Sequence, residues 1–469
     1  MQETLRFSAN APLRIHAPNL GSPWSSSWYG AQVLKYVMVL SPRIRTLNLL
    51  YSEHLHACLK DTPSQVNYSC LTKLTLSELD DLEDWESTDP SSRFIASLRE
   101  DPLPRLASLS MDVFPASICF SLFRPTLKEL VLTYVSQDFS LFEFVVALRN
   151  MPLLEVLRFS SGRGTVSGLL GPSHFAAQLA RLRTLQVTLV HADHMVYLLQ
   201  RISMPPHTNR TLQIDLDSSP SRVPEILSHV LGSLPATIED LTSPHGESAR
   251  ASLFLSFEHQ LCLSFKLNRS SHNHQAQSFP DISLLFHCDP DEAQQISKRL
   301  TERICSVFPL HKVDTLTLVF PPNNTDIENM FKYMPHVTTL RYRQTSPGSL
   351  AFPHALRVIR SNLPRPTGNL LLPMLTNIDL EVDGENDNYP WRTSYLDMLH
   401  NGLADRISVG CGLQRLRLTL PDCWGQNIDY AMKDVAERVE CCGREAAMAV
   451  IDRDYYNFHN LFKFHDEHC

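Results

Sequence analysis

Two pairs of arginines, Arg341 with Arg343 and Arg415 with Arg417, lie on either side of an acidic pair, Asp379 with Glu381, and a single residue separates the members of each pair. Side chains two apart on a β-strand leave from the same face, so each pair would place two like charges on one side of a strand. A guanidinium holds a carboxylate or phosphate through paired N–H groups. The four arginines, with the isolated Arg158, therefore have the chemistry to bind an acidic or phosphorylated partner. The same residues on neighbouring strands can also satisfy one another, because opposite charges facing across a sheet attract; Asp379 and Glu381 would then partly cancel the field of the arginines. Both readings stay open on the residues alone. The candidate partner-binding set is Arg158, Arg341, Arg343, Asp379, Glu381, Arg415 and Arg417.

Catalytic chemistry has little support. The stretch Gly162-Arg163-Gly164-Thr165-Val166-Ser167-Gly168 is rich in glycine but lacks the lysine and hydroxyl that would hold a phosphate, and its glycines do not have dinucleotide spacing. It reads as a loop between elements. A Gly-x-Ser-x-Gly elbow is absent from the sequence. Histidines cluster at His191 and His194, at His272 and His274, and at His459, His465 and His468 beside Cys469. The last group offers nitrogen and sulfur but lacks the paired spacing of a zinc finger. The acidic run from Asp80 to Asp89 lacks the alternating ligands and central glycine of an EF-hand loop. No catalytic residue, cofactor or metal is expected.

The elements that must position the arginines are written as a recurrence: leucine, two residues, leucine, one residue, leucine. It runs through Ile44-Leu47-Leu49, Leu71-Leu74-Leu76, Leu106-Leu109-Met111, Leu127-Leu130-Leu132, Leu154-Leu157-Phe159 and Leu182-Leu185-Val187. It resumes at Val313-Leu316-Leu318, Val337-Leu340-Tyr342, Leu375-Ile378-Leu380 and Leu413-Leu416-Leu418. In the first half successive matches begin 21 to 35 residues apart, in or near the ~20–29 residues of a leucine-rich repeat. Each match predicts a short strand that cannot bury its apolar face alone, and stacking such strands makes a curved parallel sheet with helices on its convex side. The residues between the leucines would line the concave face. They are mostly small and neutral early in the chain (Thr46, Asn48, Thr75, Ser108, Ser110) and charged late.

Between the strands, Leu141 to Leu148 and Met195 to Ile202 have helical apolar spacing. A third helix is predicted after Asp289, with Pro290 at its first position and Glu292 three residues after the cap. Leu253-Leu255-Phe257 and Leu261-Leu263-Phe265 alternate with period two around Glu258-His259-Gln260, which predicts a β-hairpin. The polar segment Asn268 to Ser278 reads as an exposed loop, and Ile428 to Val450 reads as a helix in a terminal cap. The expected organisation is an α/β leucine-rich-repeat-like solenoid. It comprises an N-terminal array over 1–210, irregular repeats with the hairpin over 211–310, a C-terminal array over 311–427 and a helical cap over 428–469.

Composition suits a folded chain, with 43% apolar and 20% charged residues. A net charge of −8 gives no reason to expect nucleic acid or membrane as partner. Eleven cysteines, scattered and without a CxxC pair, fit reduced thiols better than a disulfide framework. The start, MQETLRFSANAPLRI, has no basic segment leading into an apolar run. The expectation is an intracellular chain, cytoplasmic or nuclear, in which the Asn-x-Ser/Thr matches at Asn67, Asn209, Asn268 and Asn323 are chance.

The opening Leu5-Arg6-Phe7-Ser8-Ala9-Asn10-Ala11-Pro12-Leu13-Arg14-Ile15 resembles the segment that follows the F-box in the mushroom-type fungal family of F-box proteins with leucine-rich-repeat-like tails. The order of regular repeats, an irregular middle with a two-strand element, and further repeats is similar as well. The resemblance implies the substrate-recognition part of a cullin-type ubiquitin ligase, with a protein as partner. An F-box, a helical segment with an LPxE-like start that docks on the ligase adaptor, is not legible in the sequence. The resemblance therefore leaves two expectations, a ligase receptor or a stand-alone repeat scaffold. A secreted repeat protein binding carbohydrate or protein is a more distant third.

Overall fold

The computed structural model describes residues 11–17, 39–51, 67–78, 98–114, 116–135, 139–161, 176–189, 191–205, 208–215, 250–257, 260–268, 282–287, 301–302, 305, 310–319, 324–344, 351–356, 370–382, 391–419 and 432–442. The chain divides into two compact units, Met1–Ile214 and Asp215–Cys469. The acidic stretch at 80–92, the glycine cluster, the pair His272 and His274, the terminal histidines and nearly all of the helix expected after Asp289 lie outside the described residues; of that helix, 301–302 and 305 are described and helical.

The first unit is built on eight parallel strands: β1 (Leu13–Ala17), β2 (Ile44–Tyr51), β3 (Lys73–Glu78), β4 (Ser108–Asp112), β5 (Glu129–Val135), β6 (Val156–Ser161), β8 (Thr184–Leu189) and β10 (Asn209–Asp215). The two-residue strands β7 (Ala177–Gln178) and β9 (Ile202–Ser203) pair separately. The leucines of successive repeats stand beside one another in register, as in Leu47 with Leu74, Leu74 with Leu109, and Leu109 with Leu130. All four are fully buried, and each contributes roughly 1.5–3 kcal/mol of apolar burial. The residues between them are half-exposed, so β8 alternates strictly between the two states. Helices cover the leucine face. In α2 (Leu141–Arg149), capped by the Ser140 hydroxyl accepting from the Glu143 amide, Phe144 stacks on Phe159 of β6 at 4.8 Å between ring centroids. Helices α1 (Ala116–Ser121) and α3 (Ala192–Arg201) are also described in this unit.

Six of the strands share one mode of entry. The amide of the first motif residue donates to the carbonyl three residues earlier: Leu71 to Tyr68, Leu106 to Leu103, Leu154 to Met151 and Leu182 to Leu179 in the first unit, Val337 to Met334 and Leu375 to Leu372 in the second. The residue that accepts is buried in each of these six, whereas Leu127 donates to the half-buried Arg124. One carbonyl then takes two amides from the next repeat, as Ala107 O does from Lys128 and Glu129, and Lys128 O does from Glu155 and Val156. Threonines add a further stitch. Thr208, fully buried, places its hydroxyl 2.8 Å from Leu182 O and 2.7 Å from Pro205 O. Thr208→Val keeps the shape and removes the hydroxyl, so it is expected to lower stability by about 1 kcal/mol, read by urea unfolding.

Two of the entry residues, Leu103 and Leu372, have left-handed backbones, at φ 44° and 51°, a conformation that costs a non-glycine residue about 1–2 kcal/mol. Both turns are clamped by an arginine from the following repeat. Around Leu103, Arg124 donates to the carbonyls of Asp101 and Pro102, at 3.0 and 3.2 Å, while the Asp101 carboxylate accepts from the amides of Tyr68 and Leu103. At Leu372, Arg406 donates from Nη1 to Leu371 O and from Nη2 to Leu372 O, each at 2.8 Å.

The second unit orders its strands as β13 (Ile282–His287), β12 (Gln260–Asn268), β11 (Arg250–Phe257), β14 (Val313–Val319), β15 (Thr339–Gln344), β16 (Asn377–Val382), β17 (Leu413–Thr419) and β18 (Ala436–Cys442). The last five are parallel. Strands β11 and β12 form the antiparallel hairpin expected from the period-two pattern. β11 also pairs in parallel with β14, Leu253 beside Leu316, so the hairpin continues the sheet of the C-terminal array. Helices α4 (Asn324–Lys332), α5 (Ala351–Leu356) and α6 (Trp391–Ser408) are described here, and Phe352 of α5 stacks on Tyr342 of β15 at 4.1 Å. Helix α6 ends where Gly410, at φ 81°, lets the Cys411 amide reach Arg406 O and the Gly410 amide reach Ile407 O.

The segment expected as a helix, Ile428 to Val450, contains the strand β18 instead. Ala436, Val439 and Cys441 stand beside Leu413, Leu416 and Leu418, so the recurrence continues for one more strand with small apolar residues in place of leucine. No helix among the described residues is long and apolar enough to cross a membrane.

Candidate functional site

The face of each sheet opposite the leucines carries the residues between them. In the first unit the central row reads His16, Asn48, Thr75, Ser110, Val131, Arg158, Gln186 and Thr211 across neighbouring strands. Its described contacts are polar and local: Asn48 Nδ2 lies 2.8 Å from His16 Nδ1, and in the flanking rows Ser108 donates to Glu129 and Thr133 to Asp112, at 2.8 and 2.6 Å. Arg158 stands between Val131 and Gln186 in register and belongs to this unit, apart from the other six candidates.

In the second unit the equivalent row alternates in charge. Strand by strand it reads Thr317, Arg341, Asp379, Arg417 and Glu440. The row above it holds Arg343 beside Glu381, and the row below holds Arg415 beside Arg438. Arg341 Nε lies 3.7 Å from Asp379 Oδ2, and Arg343 Nε lies 3.4 Å from Glu381 Oε1. Glu440 takes Arg415 Nη2 at 2.8 Å on one oxygen and Arg438 Nε at 2.7 Å on the other. The structure thus brings six of the seven candidates onto one strand face and pairs arginine with acid across the ladder. Exposure grades across the face, from 74% for the Arg438 side chain through 39% for Arg415 and 28% for Arg341 to 7% for Glu381.

Arg438 and Glu440 lie outside the candidate set because Ile428 to Val450 reads as a helix in sequence. The signal was present in Ala436-Val439-Cys441, which keeps the recurrent spacing, with Arg438 and Glu440 at the two intervening positions.

The hydrogen bond from Arg415, opposed by desolvation and helped by the fields of Arg415, Arg438 and Arg417, holds the Glu440 carboxyl below the usual glutamate range. A carboxylate depressed on folding stabilises the fold fully above its unfolded pKa of about 4.3 and loses that contribution as pH falls through the folded value. Stability is therefore expected to fall more steeply below about pH 4.3 in the parent than in Glu440→Gln, compared by urea unfolding at pH 7 and pH 3.5.

His191 and His194 face each other with ring centroids 5.1 Å apart, and burial pushes the His194 imidazole below its ordinary value. Among the described residues no group of three or more histidine, cysteine, aspartate or glutamate side chains is gathered as a metal site would require. No protein-family model matches the chain, and no curated protein sequence matches it.

Proposed function

We propose that the chain is a non-catalytic protein-recognition module: a leucine-rich-repeat-like solenoid whose open strand face binds a protein partner, acting as the substrate-recognition part of an F-box-type receptor for a cullin ubiquitin ligase. One observation carries the recognition reading. Parallel sheets are ordinarily covered on both faces and apolar on both, whereas here the leucine face is buried and the opposite face carries half-exposed polar and charged residues strand after strand. A broad polar strand face of this kind suits recognition by surface complementarity. The ligase link is supported by the resemblance of the opening LRFSANAPLRI.

Affinity purification of the full-length protein from its native cells tests the reading. Co-purification of a cullin and its adaptor together with other proteins is the expected result. Partners without cullin or adaptor would make the chain a stand-alone scaffold, and the absence of any specific partner would remove the recognition reading.

A further inference from the structure

The charged face of the second unit has an excess of one sign. Arg341, Arg343, Arg415, Arg417 and Arg438 share it with Asp379, Glu381 and Glu440, a surplus of positive charge in a chain whose net charge is −8. Arg417 embodies that surplus. Its register neighbours are Asp379 and Glu440; Arg341 approaches one Asp379 oxygen at 3.7 Å, and Glu440 is held by Arg415 and Arg438 at 2.8 and 2.7 Å, so Arg417 shares both carboxylates with other arginines. Arg417 Nε is buried without a hydrogen-bond partner among the described residues. The residue as a whole is half-exposed, so an incoming acceptor can meet its guanidinium, and a carboxylate is the acceptor a guanidinium takes best alongside phosphate.

The spacing separates these two anions. A single phosphate is held best by cations that converge on one point, whereas Arg341 and Arg417 are two strands apart, about 9.5 Å, with a carboxylate between them. Arg415 and Arg417 instead repeat along β17 with one residue between them, roughly 6.5–7 Å apart, which is also the distance between alternate residues of an extended chain. The interleaved Asp379 and Glu440 would repel an acidic chain in any register except the one that places its carboxylates over arginine.

We propose that the open face of β15 to β18 is a docking site for an extended acidic segment of a partner protein, with carboxylates two residues apart seated over Arg415 and Arg417. This rests on the recognition reading above and names the chemistry of the partner. The test is fluorescence anisotropy with the full-length protein and three labelled synthetic peptides: alternating Glu-Thr, alternating Gln-Thr, and a neutral peptide carrying one phosphoserine. The Glu-Thr peptide is expected to bind about tenfold or more tighter than the Gln-Thr peptide, as one charge-assisted contact supplies, and to weaken as salt is raised. Arg417→Gln is expected to lose about tenfold, Arg417→Lys less because charge survives without the fork, and Lys73→Gln, on an exposed strand position of the first unit, nothing.

Arg415→Gln, at the other seat and 39% exposed, supplies the same comparison should Arg417→Gln fail to fold. Equal binding of the Glu-Thr and Gln-Thr peptides, no binding of either, indifference to both arginine variants, or tighter binding of the phosphoserine peptide would each overturn the proposal. Co-purification of partners from cells would stand unaffected by any of these, so the two readings fail separately.

Discussion

Arg406→Ala is expected to destabilise the second unit by about 3–5 kcal/mol. The side chain is fully buried at the end of α6 and gives its two terminal nitrogens to Leu371 O and Leu372 O. Burial lowers its pKa to about 10, so it remains a cation at neutral pH. Truncation takes the described donor from the buried Leu371 O, at a cost of about 1–3 kcal/mol, leaves Leu372 O with the Leu375 amide alone, and opens a cavity besides. It also releases the left-handed turn at Leu372, whose strain the arginine offsets. Arg406→Lys keeps the charge but cannot span both carbonyls with a planar fork, and its expected loss is roughly half as large. Urea unfolding measures both variants. Hydrogen exchange at the Leu375 amide, which bonds Leu372 O, reads the turn locally; unchanged protection there in Arg406→Ala would remove the clamp from the account.

Phe159→Ala is expected to cost the first unit about 3–5 kcal/mol. Phe159 occupies the last apolar position of its repeat at 2% exposure and meets Phe144 at 4.8 Å and Phe139 at 5.2 Å. Phe139 in turn touches Phe120 at 5.1 Å. The ring therefore joins strand β6 to helix α2 and, through Phe139, to helix α1, and its removal leaves an aromatic-sized void that the parallel strands cannot close without breaking register. Phe159→Leu, which fits the leucine pattern of the other repeats, is expected to recover more than half of the loss in thermal unfolding.

The strands were legible because their signal is redundant. Each repeat buries three residues at fixed spacing, and loop-closure entropy grows only by about 0.6 kcal/mol per doubling of a connection, so matches 21 to 35 residues apart still fall into one register. The hairpin of β11 and β12 was legible for the same reason, a period of two sustained over two segments. Strand β18 was not, because Ala436, Val439 and Cys441 carry less apolar surface than leucine and their neighbours allow a helical period. Nor were the clamps. Asp101, Arg124 and Arg406 are unremarkable in sequence, and their roles exist only once the turn of one repeat lies against the helix or loop of the next. On the open face, the pairs Arg341 with Asp379 and Arg343 with Glu381 follow from strand order alone; the engagement of Glu440 by both Arg415 and Arg438 does not, because it needs β18 in place.

Quantitative mass spectrometry of proteins co-purifying from native cells, with the parent and with an Arg341→Gln, Arg415→Gln, Arg417→Gln variant side by side, tests the central claim most directly. With thermal unfolding of the variant held near that of the parent, the account requires the specific partners of the parent to be lost or strongly depleted. Undiminished capture of the same partners by the folded variant would contradict it and place recognition away from this strand face.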